Sequence, residues 1–491
     1  MDERKIRKKN LIMFPLGTIG RDMVYALINS FLLTFVLFTR NLTAPQLAAV
    51  TAIMVGARVF DAFNDPIMGN IIERTRTRWG KFKPWLLAGS LTTSVVIYFL
   101  FNTDLQGWSF IWFFGFMYCM FSITYTMNDI SYWGMVPALS SDADARNQFT
   151  SRATLFAGIG GTLATILIPM FTTGQFALGG SATVAYGRIA LVIGILAPLF
   201  LLFTLCGVRE RREDSKENVP PVSFKKIIGT ITGNDQLMWM ALIFLIQQIG
   251  NGIAVVGLGA TYIYFDFGYN GGLYSLFTTI GMAATAVLMV FYPVISRKIH
   301  RKQLMKIMAV ISAVGYVLML GAGLFLPASM VKFGFIVVGY MLANFGMYCF
   351  YLIMMISIIN TVEYNEYRHG TRDEGIITSL RPFLTKLGSA LVVVITSVSY
   401  VIFGVTNYTN QISSLESAAA SGNITEAEKL LSINEVISSV QPDQTLGLLL
   451  AMTVLPCVMM LLSYFLYKRH YKLDEEEYDR ICTELEARKK E

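Results

Sequence analysis

Long apolar runs alternate with short polar breaks along the whole chain. A helix needs roughly 20 mostly apolar residues to cross the hydrocarbon core of a bilayer. Runs of that size occur at 11–38, 44–72, 83–101, 107–138, 150–171, 186–207, 236–265, 270–296, 303–326, 332–362, 374–404 and 445–468. The pattern predicts an all-α integral membrane protein with twelve spans. Several runs exceed the minimum, which predicts tilted or kinked helices. The polar stretch 208–235 divides the spans six and six. It predicts an N-terminal six-helix bundle over 1–207, a cytoplasmic linker over 208–235, a C-terminal bundle over 236–468 and a tail over 469–491. A second polar stretch, 405–444, separates the last two spans and predicts an amphipathic helix on the outer side.

Loop charge orients these spans. Basic residues cluster before span one (Arg4, Lys5, Arg7, Lys8, Lys9), after span two (Arg74, Arg76, Arg78, Lys81, Lys83) and after span six (Arg209, Arg211, Arg212, Lys216, Lys225, Lys226). A fourth cluster follows span eight (Arg297, Lys298, Arg301, Lys302, Lys306), whereas the alternate loops carry little beyond Arg40, Arg188, Lys332 and Lys429. Basic loops stay on the cytoplasmic side. The expectation is a multi-pass protein of the plasma (inner) membrane, embedded in the lipid bilayer, with both termini cytoplasmic.

Composition agrees with lipid as the solvent. Of the 491 residues, 54% are hydrophobic and only 15% charged, against about a quarter charged in soluble proteins. The net charge of +7 sits in the inner loops, so it predicts no nucleic-acid partner. Five scattered cysteines without a CxxC pair predict neither a disulfide framework nor a metal site. The N-terminus is too charged, and the run after it too long, for a cleaved signal peptide. No HExxH or GxSxG motif is present, so no enzyme and no cofactor are expected. His300, His369 and His470 fall in loops or at helix ends, so any ion coupling must rest on carboxylates.

Charges inside spans carry the chemistry. Each costs roughly 2.5–3.5 kcal/mol at a helix centre on insertion scales. Span two reads ARVFDAFNDPIMG. Arg58, Asp61 and Asp65 are spaced i,i+3 and i,i+4, so they share one helix face, with Asn64 beside them. Two carboxylates and an amide oxygen make an oxygen-rich site, and hard cations take oxygen ligands. If Arg58 merely neutralised one Asp, the second would remain unexplained. Span four places Asp129 among Tyr125, Tyr132 and Trp133. Such a carboxylate accepts from sugar hydroxyls while rings stack on sugar C–H faces; the rings alone would be ordinary packing. Span one holds Arg21 and Asp22, span five begins near Arg152, and span eleven holds Arg381 and Lys386 with Pro382 between them. Pro382 predicts a kink.

Three long stretches carry a resemblance: RVFDAFNDPIMG followed by RTRWGKFKPW, DISYWGMVP, and TVEYNEYRHGTRDEGIITSLRPFLTKLGSA. The sequence resembles the glycoside–pentoside–hexuronide:cation symporter family of the major facilitator superfamily over most of its length. The resemblance implies two six-helix bundles around a central cavity, alternating access, and function as a monomer. It implies symport of a sugar or glycoside with a monovalent cation: Na+, Li+ or H+. The family's cation site is similar to Asp61, Asn64, Asp65 and Thr126, with Asp61 and Asp65 holding the metal ion if sodium is coupled. Its sugar site is similar to Asp22, Asp129, Trp133, Arg152 and Lys386, with Arg21 in place of a lysine. Tyr125 joins that set from its place beside Asp129. Two positions depart from the family's pattern: Tyr351 stands where a tryptophan is expected, and Arg381 where a glutamine is. A positive charge at Arg381 would suit an acidic glycoside. A lysolipid carrier or a non-transporting sugar sensor of the same fold are the alternatives.

Overall fold

The computed structural model describes residues 3–140, 142–209, 224–254, 257–296 and 298–488. These residues form helices α1 (Glu3–Leu16), α2 (Thr18–Ala26), α3 (Leu32–Thr39), α4 (Ala44–Arg74), α5 (Lys83–Phe101), α6 (Gly107–Leu139), α7 (Ala143–Thr172) and α8 (Ala182–Gly207). After them come α9 (Phe224–Gly233), α10 (Asp235–Ile253), α11 (Leu258–Phe267), α12 (Gly271–Ser296), α13 (Arg301–Phe325), α14 (Met330–His369) and α15 (Glu374–Ile402). The last are α16 (Thr406–Ala420), α17 (Glu426–Ser438), α18 (Pro442–His470) and α19 (Glu475–Arg488). Among the described residues, ten helical stretches are long and apolar enough to cross a bilayer, and α4, bent, makes an eleventh. Helix α12, with 26 residues, covers the remaining predicted run. Residues 210–223 of the predicted linker lie outside the described residues.

Helix ends follow local chemistry. Ser181, Asn234 and Ser329 accept from the backbone N–H three residues on and open α8, α10 and α14. Gly370, at φ 71°, closes α14 in a left-handed conformation that favours glycine. Three spans depart from simple rods. The first is interrupted at Gly17 and again by a π-helical turn, Leu27–Phe31, between α2 and α3. The seventh breaks between α10 and α11. The second, α4, bends by 41° between Asp61 and Asn64. Pro66 accounts for that bend, because it offers no N–H to the carbonyl of Ala62. Helix α15 runs through Pro382 as one helical stretch. Hydroxyls next to the proline satisfy backbone carbonyls there, Ser379 donating to Ile376 and Thr385 to Arg381.

The chain forms two compact units. The first comprises Met1–Lys216, Ile263–Ser275 and Tyr400–Gln441, the second Glu217–Tyr262, Leu276–Ser399 and Pro442–Glu491. In the first, Phe14 stacks on Tyr132 with centroids 4.4 Å apart, and the Tyr132 hydroxyl donates to the Phe14 carbonyl. Phe149, Leu86, Met135 and Phe82 complete the core around them. In the second, Met240, Phe244, Met305, Phe350 and Met354 form a continuous buried cluster.

The outer stretch 405–444 was expected to hold a single helix. It forms two, α16 and α17, and both pack within the first unit. Asn410 exchanges two hydrogen bonds with the Leu42 backbone. Glu416 accepts from the Ala182 N–H that opens α8, and Lys429 donates to the Gly180 carbonyl. Glu416 and Lys429 face each other at 3.4 Å, both fully buried. The tail folds as well. Helix α19 buries Ile481 and Leu485 within the second unit. Glu475 accepts from the backbone and side chain of Arg301, and Asp474 from Lys302.

Candidate functional site

Two polar clusters lie inside the first unit, both between its early spans and α6. Residues 122, 126, 129 and 133 of α6 recur at helical spacing and supply one wall to both.

The first cluster is built around Arg21. Its guanidinium is buried, at 6% exposure, and pairs with Asp22 at 2.9 Å and Asp129 at 3.1 Å. The group lies over the ring of Tyr132 at 4.5 Å and that of Trp133 at 5.2 Å. One planar cation therefore ties span one to α6 and holds both carboxylates. Thr18, one turn before Asp22, also donates to it. Asp129 stays 39% exposed despite its partner, which leaves it open to a ligand. Tyr125 lies one turn away, stacked on Phe121 and tilted against Tyr25. The structure thus brings Arg21, Asp22, Asp129 and Trp133 together. Arg152 is bonded elsewhere: it is exposed on α7 and donates to the Leu11 carbonyl at 3.3 Å.

The second cluster lies at the bend of α4. Arg58 approaches Asp61 at 3.7 Å, beyond hydrogen-bond distance, and its other arm donates to Asn29 at 3.1 Å. Ser122 donates to the other oxygen of Asp61. Asp65 accepts from Thr126 at 3.0 Å. The Asn64 amide nitrogen is buried with no hydrogen-bond partner among the described residues; a cation would take the amide oxygen of the same side chain. Pro66 also removes the normal donor to the Ala62 carbonyl. Two carboxylates, one amide and a hydroxyl are the oxygen-rich kind of set that suits a hard cation.

In the second unit, Arg381 donates to the Tyr351 hydroxyl at 3.3 Å and to the Met355 sulfur at 3.0 Å. Tyr351 packs against Phe244 and Tyr348. The two positions that depart from the family pattern are thus hydrogen-bonded to each other. Among the described residues Arg381 forms no ion pair, and half-buried Lys386 lies further along the same helix. Sequence reasoning missed Thr18, Ser122 and Asn29. The first two sit four residues before Asp22 and Thr126, a spacing that marks them as same-face neighbours. Asn29 had no such signal.

Buried charges on long apolar helices are the pattern expected of a polytopic carrier. The fold agrees: a bacterial homologue of the human lysosomal transporter Spinster aligns with TM-score 0.62 at 12% identity, covering 96% of this chain and 97% of that one. A D-xylose–proton symporter aligns with TM-score 0.58 at 12% identity, over 90% and 99%. The architecture is that of the major facilitator superfamily.

Residues 13–475 match the family described as MFS/sugar transport protein, and the chain belongs to that family. It is a family of membrane transporters, not enzymes. The glycoside–pentoside–hexuronide group within it is the one the relatives mark. The lactose permease of Leuconostoc lactis is 28% identical over 77% of this chain and 60% of its own length. The raffinose carrier protein of Pediococcus pentosaceus is 26% identical, over 97% of this chain and 71% of its own length. The glucuronide carrier protein homolog of Escherichia coli K12 is 24% identical, over 98% and 96%. The chain spans only about 60% of the length of the lactose permeases that it matches in Leuconostoc lactis and Lactobacillus helveticus.

Proposed function

We propose that this protein is a secondary symporter that carries a sugar or glycoside together with Na+, Li+ or H+ by alternating access. The observation that carries the reading is that α6 walls two carboxylate clusters at once, Asp22 with Asp129 and Asp61 with Asp65. Asp22 and Asp129 share Arg21 at ion-pair distance. Arg58 approaches Asp61 only to 3.7 Å, outside hydrogen-bond distance. Two carboxylates one helical turn apart repel, and uptake of a positive charge relieves that repulsion. Asp61, Asn64, Asp65 and Thr126 are the ligands we assign to it. Asp129, already oriented by Arg21 and set beside Trp133, accepts from sugar hydroxyls, with Asp22 and Tyr125 supporting it. Relatives named as lactose, raffinose and glucuronide carriers make a sugar the substrate class of choice. Arg152, Tyr351, Arg381 and Lys386 complete the proposed sugar contacts, and Arg381 supplies a cation for an acidic substrate. The protein acts as a monomer in the plasma membrane.

The ion works through linkage. Filling the Asp61–Asp65 site removes carboxylate repulsion and draws α4 toward α6, the helix that also carries Asp129 and Trp133. Sugar then raises ion affinity by the same factor that the ion raises sugar affinity. Reconstitution in liposomes tests this. Counterflow over galactosides, glucosides, xylosides and glucuronides should show one transported class, stimulated by Na+, Li+ or a proton gradient. Asp61→Cys and Asp65→Cys should each abolish ion-driven accumulation. Full ion-driven uptake in either variant would overturn the assignment of the cation site.

A further inference from the structure

Span one is not a continuous α-helix. Residues Leu27–Phe31 form a π-helical turn between α2 and α3. Such a turn inserts one extra residue, sacrifices regular bonding and turns the side chains beyond it to new directions. Here it carries Asn29, whose side-chain oxygen accepts from Arg58 at 3.1 Å. The same guanidinium extends its other arm toward Asp61 and stops 3.7 Å away. Both charged groups are largely buried, at 12% and 7% exposure. A guanidinium so placed beside a carboxylate ordinarily closes to a hydrogen-bonded pair. Asn29 competes for it with a neutral acceptor, from a different helix.

We propose that Asn29, presented by the π-turn, is a positioning residue that holds Arg58 off Asp61 and so sets the affinity of the ion site. The inference rests on the assignment of Asp61 and Asp65 as cation ligands. Arg58 is a cation permanently resident at the site. Closed onto Asp61, it would occupy the negative charge that the coupling ion needs. Drawn away, it leaves the near oxygen of Asp61 to the coupling ion while keeping a positive charge close by. The tether thus converts a would-be competitor into a bystander. Ser122, which donates to the other oxygen of Asp61, fixes the carboxylate while the tether fixes the arginine.

The test uses the purified full-length protein in detergent, titrated with NaCl, with LiCl and, by potentiometric proton uptake, with acid. In the parent, binding of at least one ion should disappear in both Asp61→Asn and Asp65→Asn. If it does not, the cation-site reading falls and the tether falls with it. Given that binding, Asn29→Leu should weaken it about ten-fold, equivalent to about 1.4 kcal/mol. Asn29→Asp, which keeps an acceptor for Arg58, should restore affinity to the parental value or better. In an Arg58→Gln background, Asn29→Leu should change nothing, because its effect passes through the arginine. Arg58→Lys provides the second route. A lysine lacks the fork that reaches Asn29 and Asp61 together, so it should weaken binding as Asn29→Leu does. Unchanged affinity in Asn29→Leu would overturn the tether. So would equal weakening with and without Arg58, which would mark Asn29 as packing only.

Discussion

Single atoms decide how closely the first span approaches its neighbours. A Cβ on Gly20 would lie 2.4 Å from the Cα of Ala197, and one on Gly160 would lie 2.2 Å from the carbonyl oxygen of Ile19. Both obstacles are backbone, which cannot swing aside. Helices in lipid associate through such close contacts, because the hydrophobic effect gives them no driving force there. These approaches pack the segment that carries Arg21 and Asp22 against α7 and α8. Gly20→Ala should therefore destabilise the protein by about 1–3 kcal/mol, as overpacking does, and impair sugar binding along with it. Gly158→Ala meets nothing within 4 Å and is the control. A thermal-unfolding series in detergent, with equal midpoints for the two variants, would contradict this. The shared face of Asp61 and Asp65 was legible from spacing, Asp129 from its aromatic neighbours, and Thr126 only from the family resemblance. The partnership of Arg21 with Asp129 was not legible, because those residues are 108 positions apart in sequence and meet only when spans one and four pack.

Individual helices carry their own departures from regularity, and these fall at the proposed ion site. The bend of α4 falls at Asp61–Asn64, and the π-turn of span one falls at Asn29. Pro66 announces the bend in the sequence. Nothing in LINSF announces the π-turn, since the choice between α and π bonding depends on what the neighbouring helix offers. Helix α19 illustrates the opposite case, where local charge governs docking. A hydrogen bond from Lys302 holds the Asp474 carboxyl below the usual range, and one from Arg480 does the same for Glu477. Glu475 is also lowered: burial opposes ionisation, but bonds from Arg301 outweigh it. A lowered carboxyl contributes stability at neutral pH and loses it as the pH falls through the depressed value. Docking of α19 should thus loosen below about pH 4 and, for its exposed pairs, at high salt. Hydrogen-exchange protection factors over 475–488, referenced to the core of α14, report this. Equal protection at pH 7 and pH 3.5 in high salt would show that Ile481 and Leu485 hold the helix by themselves.

At the scale of the molecule, connectivity and packing part company. Helices α16 and α17 join α15 to α18 in sequence, yet they bury Glu416 and Lys429 against the ends of α3 and α8 in the first unit. A polar outer loop with no spanning run announces only that it stays out of the bilayer. Its docking surface is made by residues more than 200 positions earlier. The alternation of basic loops predicts which side it occupies. A membrane-impermeant maleimide should label Asn423→Cys from outside right-side-out vesicles of a variant lacking native cysteines. Glu486→Cys should react only after permeabilisation. The reverse pattern would invert the orientation.

Apolar run length and loop charge determined the helix class, the number of spans and their expected direction, because a bilayer leaves a spanning segment little choice but helix. Helical spacing determined which carboxylates share a face. Tertiary structure alone decided how closely each arginine approaches its carboxylates. Arg21 reaches Asp22 and Asp129 at ion-pair distance, whereas Arg58 stops short of Asp61, held by Asn29 from another helix. Periodicity places residues on a helix face, but the distance between charges on different helices is set by glycine contacts, a proline bend and a π-turn.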